Sequence, residues 1–236
     1  PGFVSSLFEG YYRDGIRSLE ELNGQLCGNL CRCTGYRAIR DAARQAWSGG
    51  GKPDDFSRLL EQENPPLPPM EYESGGRRFF RPDSLAGFFD LVSKYPDAEW
   101  IAGGTELGVG VAKAFEKFPA LIHLSGIPEL QIYSEDSLGI TIGAGLALTD
   151  VMDRVRDSLP SLAEMLRWFA SRPIRNRATL GGNLATASPI GDMAPVLLSL
   201  DASLLLASPG GQREVPIEAF FKKKKKTLLQ PGELLL

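Results

Sequence analysis

The feature that most constrains this chain is a break in its middle. Gly49-Gly50-Gly51 is followed by Glu63-Asn64-Pro65-Pro66-Leu67-Pro68-Pro69 and then by Gly75-Gly76. Proline fixes φ and lacks an N–H, so such a stretch packs neither as a helix nor as a central strand and tends toward extended polyproline conformation. Residues 51–76 therefore read as an interdomain linker. The expected organisation of the 236 residues is multidomain, with a small all-helical domain over 1–50 and an α+β domain over 77–236. The formal net charge of −3 provides no global basic field for nucleic acid or an anionic membrane. No apolar run reaches the ~18 residues of a membrane span, and the start lacks the basic-then-apolar layout of a signal peptide. A cytoplasmic protein without nucleic-acid or membrane partners is expected.

In the first domain, Phe3, Val4, Leu7, Phe8, Tyr11 and Tyr12 fall at a spacing that fits one face of a helix. Ser18-x-x-Glu21 has the form of a capping box, and a third helix is expected from about Arg37 to Trp47, stopped by the glycines that follow. All three cysteines, Cys27, Cys31 and Cys33, lie within seven residues in the turn between the second and third helices. A disulfide framework does not cluster its anchors in this way, and a metal or redox centre does. Two thiolates one residue apart can bind a single iron or one edge of a 2Fe-2S rhomb, but three thiols and the remote His123 complete no obvious four-ligand site. A pair of buried structural cysteines is the alternative. The abrupt ends, Pro1-Gly2-Phe3-Val4 and Glu233-Leu234-Leu235-Leu236, suggest a piece truncated on both sides.

In the second domain, helices are expected over Ser84–Tyr95, Leu148–Asp157 and Leu159–Ser171, the first capped by Asp83 or Ser84. Strands are expected over Trp100–Ala102, Ala120–Leu124, Leu130–Tyr133, Leu138–Ile142 and Ser203–Ala207, with a hairpin turn at Pro209-Gly210-Gly211-Gln212. Two segments carry chemistry. Trp100-Ile101-Ala102 runs into Gly103-Gly104-Thr105-Glu106-Leu107-Gly108, a strand ending in glycines that expose backbone N–H groups to a pyrophosphate. The spacing of a Rossmann fingerprint is not met, and a simple turn is the plain alternative. Residues 175–192 crowd Thr179, Gly181, Gly182, Asn183, Thr186, Ser188 and Asp192 between apolar runs, which suits a ligand rich in hydrogen-bond acceptors or else a polar surface loop.

Gly28-Asn29-Leu30-Cys31-Arg32-Cys33-Thr34-Gly35-Tyr36-Arg37 resembles the second cluster motif of the helical 2Fe-2S domain in the xanthine dehydrogenase family of molybdenum hydroxylases. There a Cys-Gly-x-Cys-Thr segment immediately precedes a helix that starts Pro-Gly-Phe, as this chain does. The resemblance implies that Cys31 and Cys33 are two of four cluster ligands, that the other two lie just upstream of Pro1, and that Cys27 is a bystander. The two glycine segments are similar to the FAD-binding domain of the same family, a vanillyl-alcohol-oxidase-type, PCMH-like α+β fold. Matched position by position, Gly103, Gly104, Thr105, Glu106, Leu107 and Gly108 belong to the first FAD loop. Thr179, Gly182, Asn183, Thr186 and Asp192 belong to the second, Asp192 toward the ribose or adenine. Phe169 matches an aromatic beside the flavin, and Leu236 a backbone contact to its ring.

The implied role is electron transfer with no catalytic side chain in this chain. Electrons from a molybdenum cofactor on a partner chain or segment would pass by 2Fe-2S clusters to FAD and on to NAD, in purine metabolism, within a dimer of heterodimers. An aldehyde, carbon monoxide or aromatic-CoA hydroxylase component, a non-catalytic electron-transfer module and a zinc-stapled helical domain are the rivals. Two departures stand out: Pro173 where relatives commonly have Gln, and five consecutive lysines, Lys222 to Lys226, where a short mixed loop is expected. Such a run is ordinarily a solvated loop, and attraction of anionic NAD is its functional reading. His123 receives no role.

Overall fold

The computed structural model describes residues 2–13, 16, 18–48, 54–62, 65–223 and 225–236. The glycine stop at 49–51, the Glu63-Asn64 part of the linker, Pro1 and the central lysine of the lysine run lie outside the described residues. The chain divides into two compact units, residues 1–66 with 170–173, and residues 67–169 with 174–236.

The first unit holds helices α1 (Gly2–Tyr12), α2 (Leu19–Leu26), α3 (Tyr36–Ser48) and α4 (Asp55–Leu60). The Ser18 capping box forms in full: Glu21 N–H donates to Ser18 Oγ at 3.1 Å, and Ser18 N–H to the Glu21 carboxylate at 2.7 Å. Leu22, Leu26 and Ala43 are its buried centre, packed by Phe3, Leu7, Ile16, Ile39 and Trp47. Gly10 is buried under Gln25 and Trp47, which pack too closely on it to admit a Cβ. Within the stretch that composition assigns to the linker, Asp54 caps α4 and accepts a hydrogen bond from Tyr12 Oη at 2.6 Å. That bond holds the Asp54 carboxyl below its ordinary range and pushes the Tyr12 phenol up to about 12.

The second unit opens with a hairpin, β1 (Met70–Ser74) and β2 (Arg77–Arg81), turning at Gly75-Gly76. Strand β1 also lies in the expected linker. Every one of its side chains is exposed, so it shows no apolar alternation to mark it as a strand. Helix α5 (Leu85–Lys94), capped by Ser84, leads to β3 (Glu99–Ile101), and α6 (Leu107–Ala114) leads to β4 (Ala120–His123). The sheet order is β1-β2-β4-β3, with β2, β4 and β3 mutually parallel. Phe88 of α5 seals this sheet against Trp100, their rings edge-on at 4.9 Å.

The expected strand at Leu130–Tyr133 is not formed. Pro128 opens a 3-10 turn through Gln131 that buries Leu130, and the strand β5 (Tyr133–Asp136) begins after it, pairing with β6 (Gly139–Ile142). Helices α7 (Leu148–Arg154), α8 (Pro160–Trp168), α9 (Arg172–Arg175), α10 (Leu180–Ala185) and α11 (Met193–Ser199) follow. Then come β7 (Ser203–Ser208), β8 (Gly211–Pro216), α12 (Ile217–Phe220), the short hairpin β9 (Phe221–Lys223) and β10 (Lys226–Thr227), and β11 (Leu234–Leu235). Strand β7 sits between β8 and β11 in an antiparallel sheet. One continuous core runs through this unit, from Phe80, Phe88 and Ile122 through Leu148, Leu162, Leu166 and Leu184 to Met193 and Phe220. Among the described residues no helix is long and apolar enough to cross a membrane.

Two contacts lock the elements that will matter below. Gly103 lies directly on the backbone of Arg177 and Ala178, where any Cβ would overlap the Arg177 carbonyl oxygen. Buried Glu233 receives Arg213 Nε and Nη2 at 2.7 Å each and Gln230 N–H at 2.8 Å, tying the segment before β11 to β8. These bonds hold the Glu233 carboxyl below the usual carboxylate range.

Gly103→Ala should therefore lower stability by more than about 2 kcal/mol in urea unfolding, because the added methyl meets backbone and has no rotamer to escape into. For Glu233 the folded pKa lies below the unfolded one, so its contribution is present above the unfolded pKa and is lost as pH falls through the folded one. Urea midpoints of the parent and Glu233→Gln should differ most near neutral pH and converge below about pH 4. A gap that is flat from neutral to acid pH would show that the carboxylate charge is not what holds this segment.

Candidate functional site

The parallel strands β3 and β4 both deliver their carboxyl ends to a cavity of about 650 Å³, a volume suited to an organic cofactor. Ala102, Gly103, Gly104, Thr105, Glu106 and Leu107 form one wall, and Leu124, directly after β4, stands beside them. Gly104 has φ +73°, a left-handed turn that favours glycine and redirects the chain from β3 into α6. Among the described residues, the backbone N–H groups of Gly103, Gly104 and Thr105 donate no hydrogen bond. Three successive unspent N–H groups on a cavity wall are a nest for anionic oxygens.

The facing wall is α10 with its flanks. Thr179 caps α10 by accepting Gly182 N–H on its Oγ1 at 3.1 Å, and Thr186 Oγ1 donates to the Gly182 carbonyl at 2.7 Å. Asn183 Oδ1 accepts Met193 N–H at 3.4 Å, which closes the loop 186–192 against the helix. Backbone bonds fix this wall to its neighbour: Leu148 N–H to Ala178 O at 2.9 Å, Leu180 N–H to Leu146 O at 3.2 Å and Gly181 N–H to Ala144 O at 2.8 Å. Gly181 permits that approach, since a Cβ would stand 2.6 Å from the Ala144 methyl.

Of the residues singled out in the sequence, Gly103, Gly104, Thr105, Glu106, Leu107, Phe169, Thr179, Gly182, Asn183 and Thr186 all line this one cavity. Three do not. Gly108 is exposed inside α6, and Asp192 is exposed at the start of α11, although Ile190 and Gly191 before it line the wall. Leu236 donates its N–H to Leu205 O at 2.9 Å and packs on the core, leaving Glu233, Leu234 and Leu235 to face the cavity. Ala144, Gly145, Ile174 and Leu229, also on the wall, carry no local signal in the sequence. Nor did it mark Arg175, which is buried and donates from Nη1 to the Phe169 carbonyl at 2.7 Å, fixing the end of α8 where Phe169 meets the cavity. A run of tertiary partners separated by many residues leaves no local pattern to read.

A smaller cavity of about 130 Å³ adjoins the first through Ala102, Gly103, Leu124, Gly145 and Thr179, and contains His123. His123 Nδ1 accepts Ser125 N–H at 3.3 Å. Burial, with Arg177 and Arg81 nearby, pushes its pKa down, so it is neutral at pH 7 and brings no charge to the site.

In the first unit, the loop between α2 and α3 presents Cys31 half-buried and Cys33 exposed, both reduced, with Cys27 exposed at the end of α2. Cys31 Sγ accepts Gly35 N–H at 3.1 Å, made possible by Gly35 at φ +90°. That bond, with backbone donors at Cys33 and Thr34, lowers the Cys31 pKa and favours the thiolate a metal needs. Among the described residues, no group of three or more His, Cys, Asp or Glu side chains converges to hold a metal. Cys31 and Cys33 share this loop without completing a metal site among the described residues.

The chain was compared with known proteins. Residues 71–236 match the family model described as the FAD binding domain in molybdopterin dehydrogenase. The whole chain aligns with xanthine dehydrogenase/oxidase of Rattus norvegicus at 30% identity over 288 residues, covering 22% of that protein. Xanthine dehydrogenase of Emericella nidulans aligns at 29% identity over 294 residues, again with all of this chain and 22% of the relative. Among solved structures, carbon monoxide dehydrogenase from Hydrogenophaga pseudoflava lacking the Mo-pyranopterin moiety is similar with TM-score 0.64 and 30% identity, over 72% of this chain and 58% of that one. Quinoline 2-oxidoreductase from Pseudomonas putida 86 gives TM-score 0.62 and 31% identity, over 66% and 55%. The chain spans only 22% of the length of those curated relatives. The glycine-walled cavity and these matches lead to one conclusion: the chain belongs to the FAD-binding domain family of molybdopterin dehydrogenases, with xanthine dehydrogenase homologues along its whole length.

Proposed function

We propose that the chain is the electron-transfer iron-sulfur and FAD portion of a xanthine dehydrogenase-like molybdenum hydroxylase. In this reading it carries electrons from a molybdenum site on a partner chain or segment, by way of 2Fe-2S clusters and FAD, to NAD. Residues 1–50 would be the cluster domain, 51–76 the connection and 77–236 the flavin domain. The single observation that supports it is the cavity of about 650 Å³ whose walls are the two glycine segments, with three unspent N–H groups between them.

FAD, when bound, supplies two-electron chemistry that no side chain here possesses. The chain's own residues supply binding and position. The N–H groups of Gly103, Gly104 and Thr105 meet phosphate charge without needing a cation, because oriented amides in a water-poor cleft act as fixed partial charges. Thr179 and Thr186 spend their hydroxyls on the α10 backbone and so set the wall rather than the ligand. Phe169, held by Arg175, offers an aromatic face, and Leu229, Leu234 and Leu235 exclude water from the same space. Glu233 also faces the cavity, but its charge is satisfied by Arg213 and is not free for proton transfer. In the first unit, Cys31 and Cys33 would bind one side of a cluster, the Gly35 N–H steadying the charge on Cys31.

A second reading, the flavin component of a carbon monoxide or heteroaromatic hydroxylase, draws on the two solved structures at 30% and 31% identity. It differs in the partner's substrate and leaves the roles of these residues unchanged.

The decisive measurement is cofactor content of the longest natural form of the protein. Native purification should retain flavin absorbance with iron and acid-labile sulfide, and Cys31→Ser with Cys33→Ser should abolish one cluster's paramagnetic signal while flavin content stays at the parent level. Protein that retains no flavin, or zinc in place of iron, would refute the proposal.

A further inference from the structure

The smaller cavity of about 130 Å³ takes no part in the flavin reading, and the hydrogen bonds around it sort its lining in one direction. His123 Nδ1 accepts Ser125 N–H at 3.3 Å, so the neutral ring keeps its proton on Nε2 and donates from there. Ser125 Oγ accepts Arg81 Nε at 3.1 Å, which leaves the hydroxyl hydrogen to be donated. Asn176 Oδ1 accepts the Thr149 hydroxyl at 2.7 Å, so the amide offers its nitrogen. Gly103 lines both cavities, and its N–H donates to no described residue. At each of these positions the acceptor is already used and the donor is left over.

Charge points the same way. Arg177 lines the cavity, lies close enough to His123 to lower the pKa of that ring, and makes no side-chain hydrogen bond or ion pair with a described residue. Arg81, beside Ser125, donates to the Leu67 and Pro68 carbonyls and meets no carboxylate among the described residues. Donors left over beside uncompensated guanidinium groups make a site for an anion. The volume has room for about four waters, which admits a tetrahedral oxyanion and excludes a nucleotide. One lining group has the opposite sign: Asp150, whose carboxylate bonds to no described residue. It repels an anion that has no proton and accepts a hydrogen bond from one that keeps a proton. Phosphate keeps at least one proton at neutral pH, whereas sulfate and the two phosphates of a dinucleotide keep none.

We propose that the smaller cavity binds inorganic phosphate in a protonated form, with Arg177, His123, Ser125 and Asn176 donating to it and Asp150 accepting its hydrogen. The site is separate from the nest at residues 103–105 but shares Gly103 with it. One N–H cannot serve an anion in each cavity, and two anions so close repel, so bound phosphate loosens a ligand whose own phosphates sit in the nest. That consequence rests on the flavin reading above, while the phosphate site itself does not.

The test uses the full-length protein as purified, at neutral pH and constant ionic strength, with inorganic phosphate and sulfate as probes, calorimetry for affinity and fluorescence for released flavin. The parent should bind phosphate at least about tenfold more tightly than sulfate, and Arg177→Gln should weaken phosphate by about tenfold or more. Asp150→Asn should bring the two anions within about twofold of each other, because the amide no longer repels sulfate. Phosphate, and not sulfate, should speed flavin release severalfold. A parent that binds no phosphate overturns the proposal, as does one that binds sulfate equally well or an Arg177→Gln variant with parental affinity. Flavin release that phosphate leaves unchanged overturns the coupling through Gly103. Should Arg177→Gln fail to fold, the selectivity of the parent and of Asp150→Asn decides the question. Protein purified without flavin refutes the flavin reading, while its phosphate affinity still reports on the smaller cavity.

Discussion

The contact on which the site depends is backbone against backbone: Gly103, at the start of the first glycine segment, seated on the carbonyl of Arg177 near the start of the second. The two segments are far apart in the chain, and their spacing decides whether a cavity exists between them. A side-chain contact would leave that spacing adjustable by rotamer. Here no side chain intervenes, so the separation is set by van der Waals radii. The same device recurs at Gly181 against Ala144, reinforced by the bond from Gly181 N–H to Ala144 O at 2.8 Å. A glycine-rich loop is often read as room for a ligand. At Gly103 the missing Cβ makes room for the protein itself, and the N–H groups are presented as a consequence.

That rigidity matters because the cavity has little formal charge of its own to offer an anionic ligand. Glu233 is neutralised by Arg213, Arg175 is spent on the Phe169 carbonyl, and His123 is kept neutral by burial and by Arg177 and Arg81. Attraction then falls to the amide dipoles of residues 103–105, whose effect declines quickly with distance and angle. A wall that moved would lose it.

How much of this was legible in the sequence follows from the range of the interactions. Ser18 with Glu21 and Ser84 before α5 announce helix starts because a cap is closed within three residues. Pro209-Gly210 marks its hairpin for the same reason, and the glycine segments were legible as walls by resemblance and by composition. Strand β1 was hidden because its five side chains are all exposed and leave no apolar face, and Leu130–Tyr133 read as a strand although Pro128 commits the chain as far as Gln131 to a 3-10 turn and β5 begins only at Tyr133. Arg175 with Phe169, Arg213 with Glu233 and Gly103 with Arg177 were invisible. Each is a tertiary pairing whose members obey no shared period.

The flavin cavity and the proposed cluster loop differ in how much of their chemistry these residues contain. For the flavin, both walls, the dipoles and the apolar closure come from the second unit, so its shape follows from the folding of that unit and its core. For the cluster we propose, the α2–α3 loop would supply two thiols and a backbone donor to one of them, half of what a four-thiolate rhomb requires. Thiolate repulsion makes a pair of sulfurs a poor iron site alone, and no third donor stands near among the described residues. The Gly35, Cys33 and Thr34 N–H groups lower the Cys31 pKa and favour its thiolate, the form that the proposed cluster would require, and the remaining ligands of such a cluster would have to come from elsewhere.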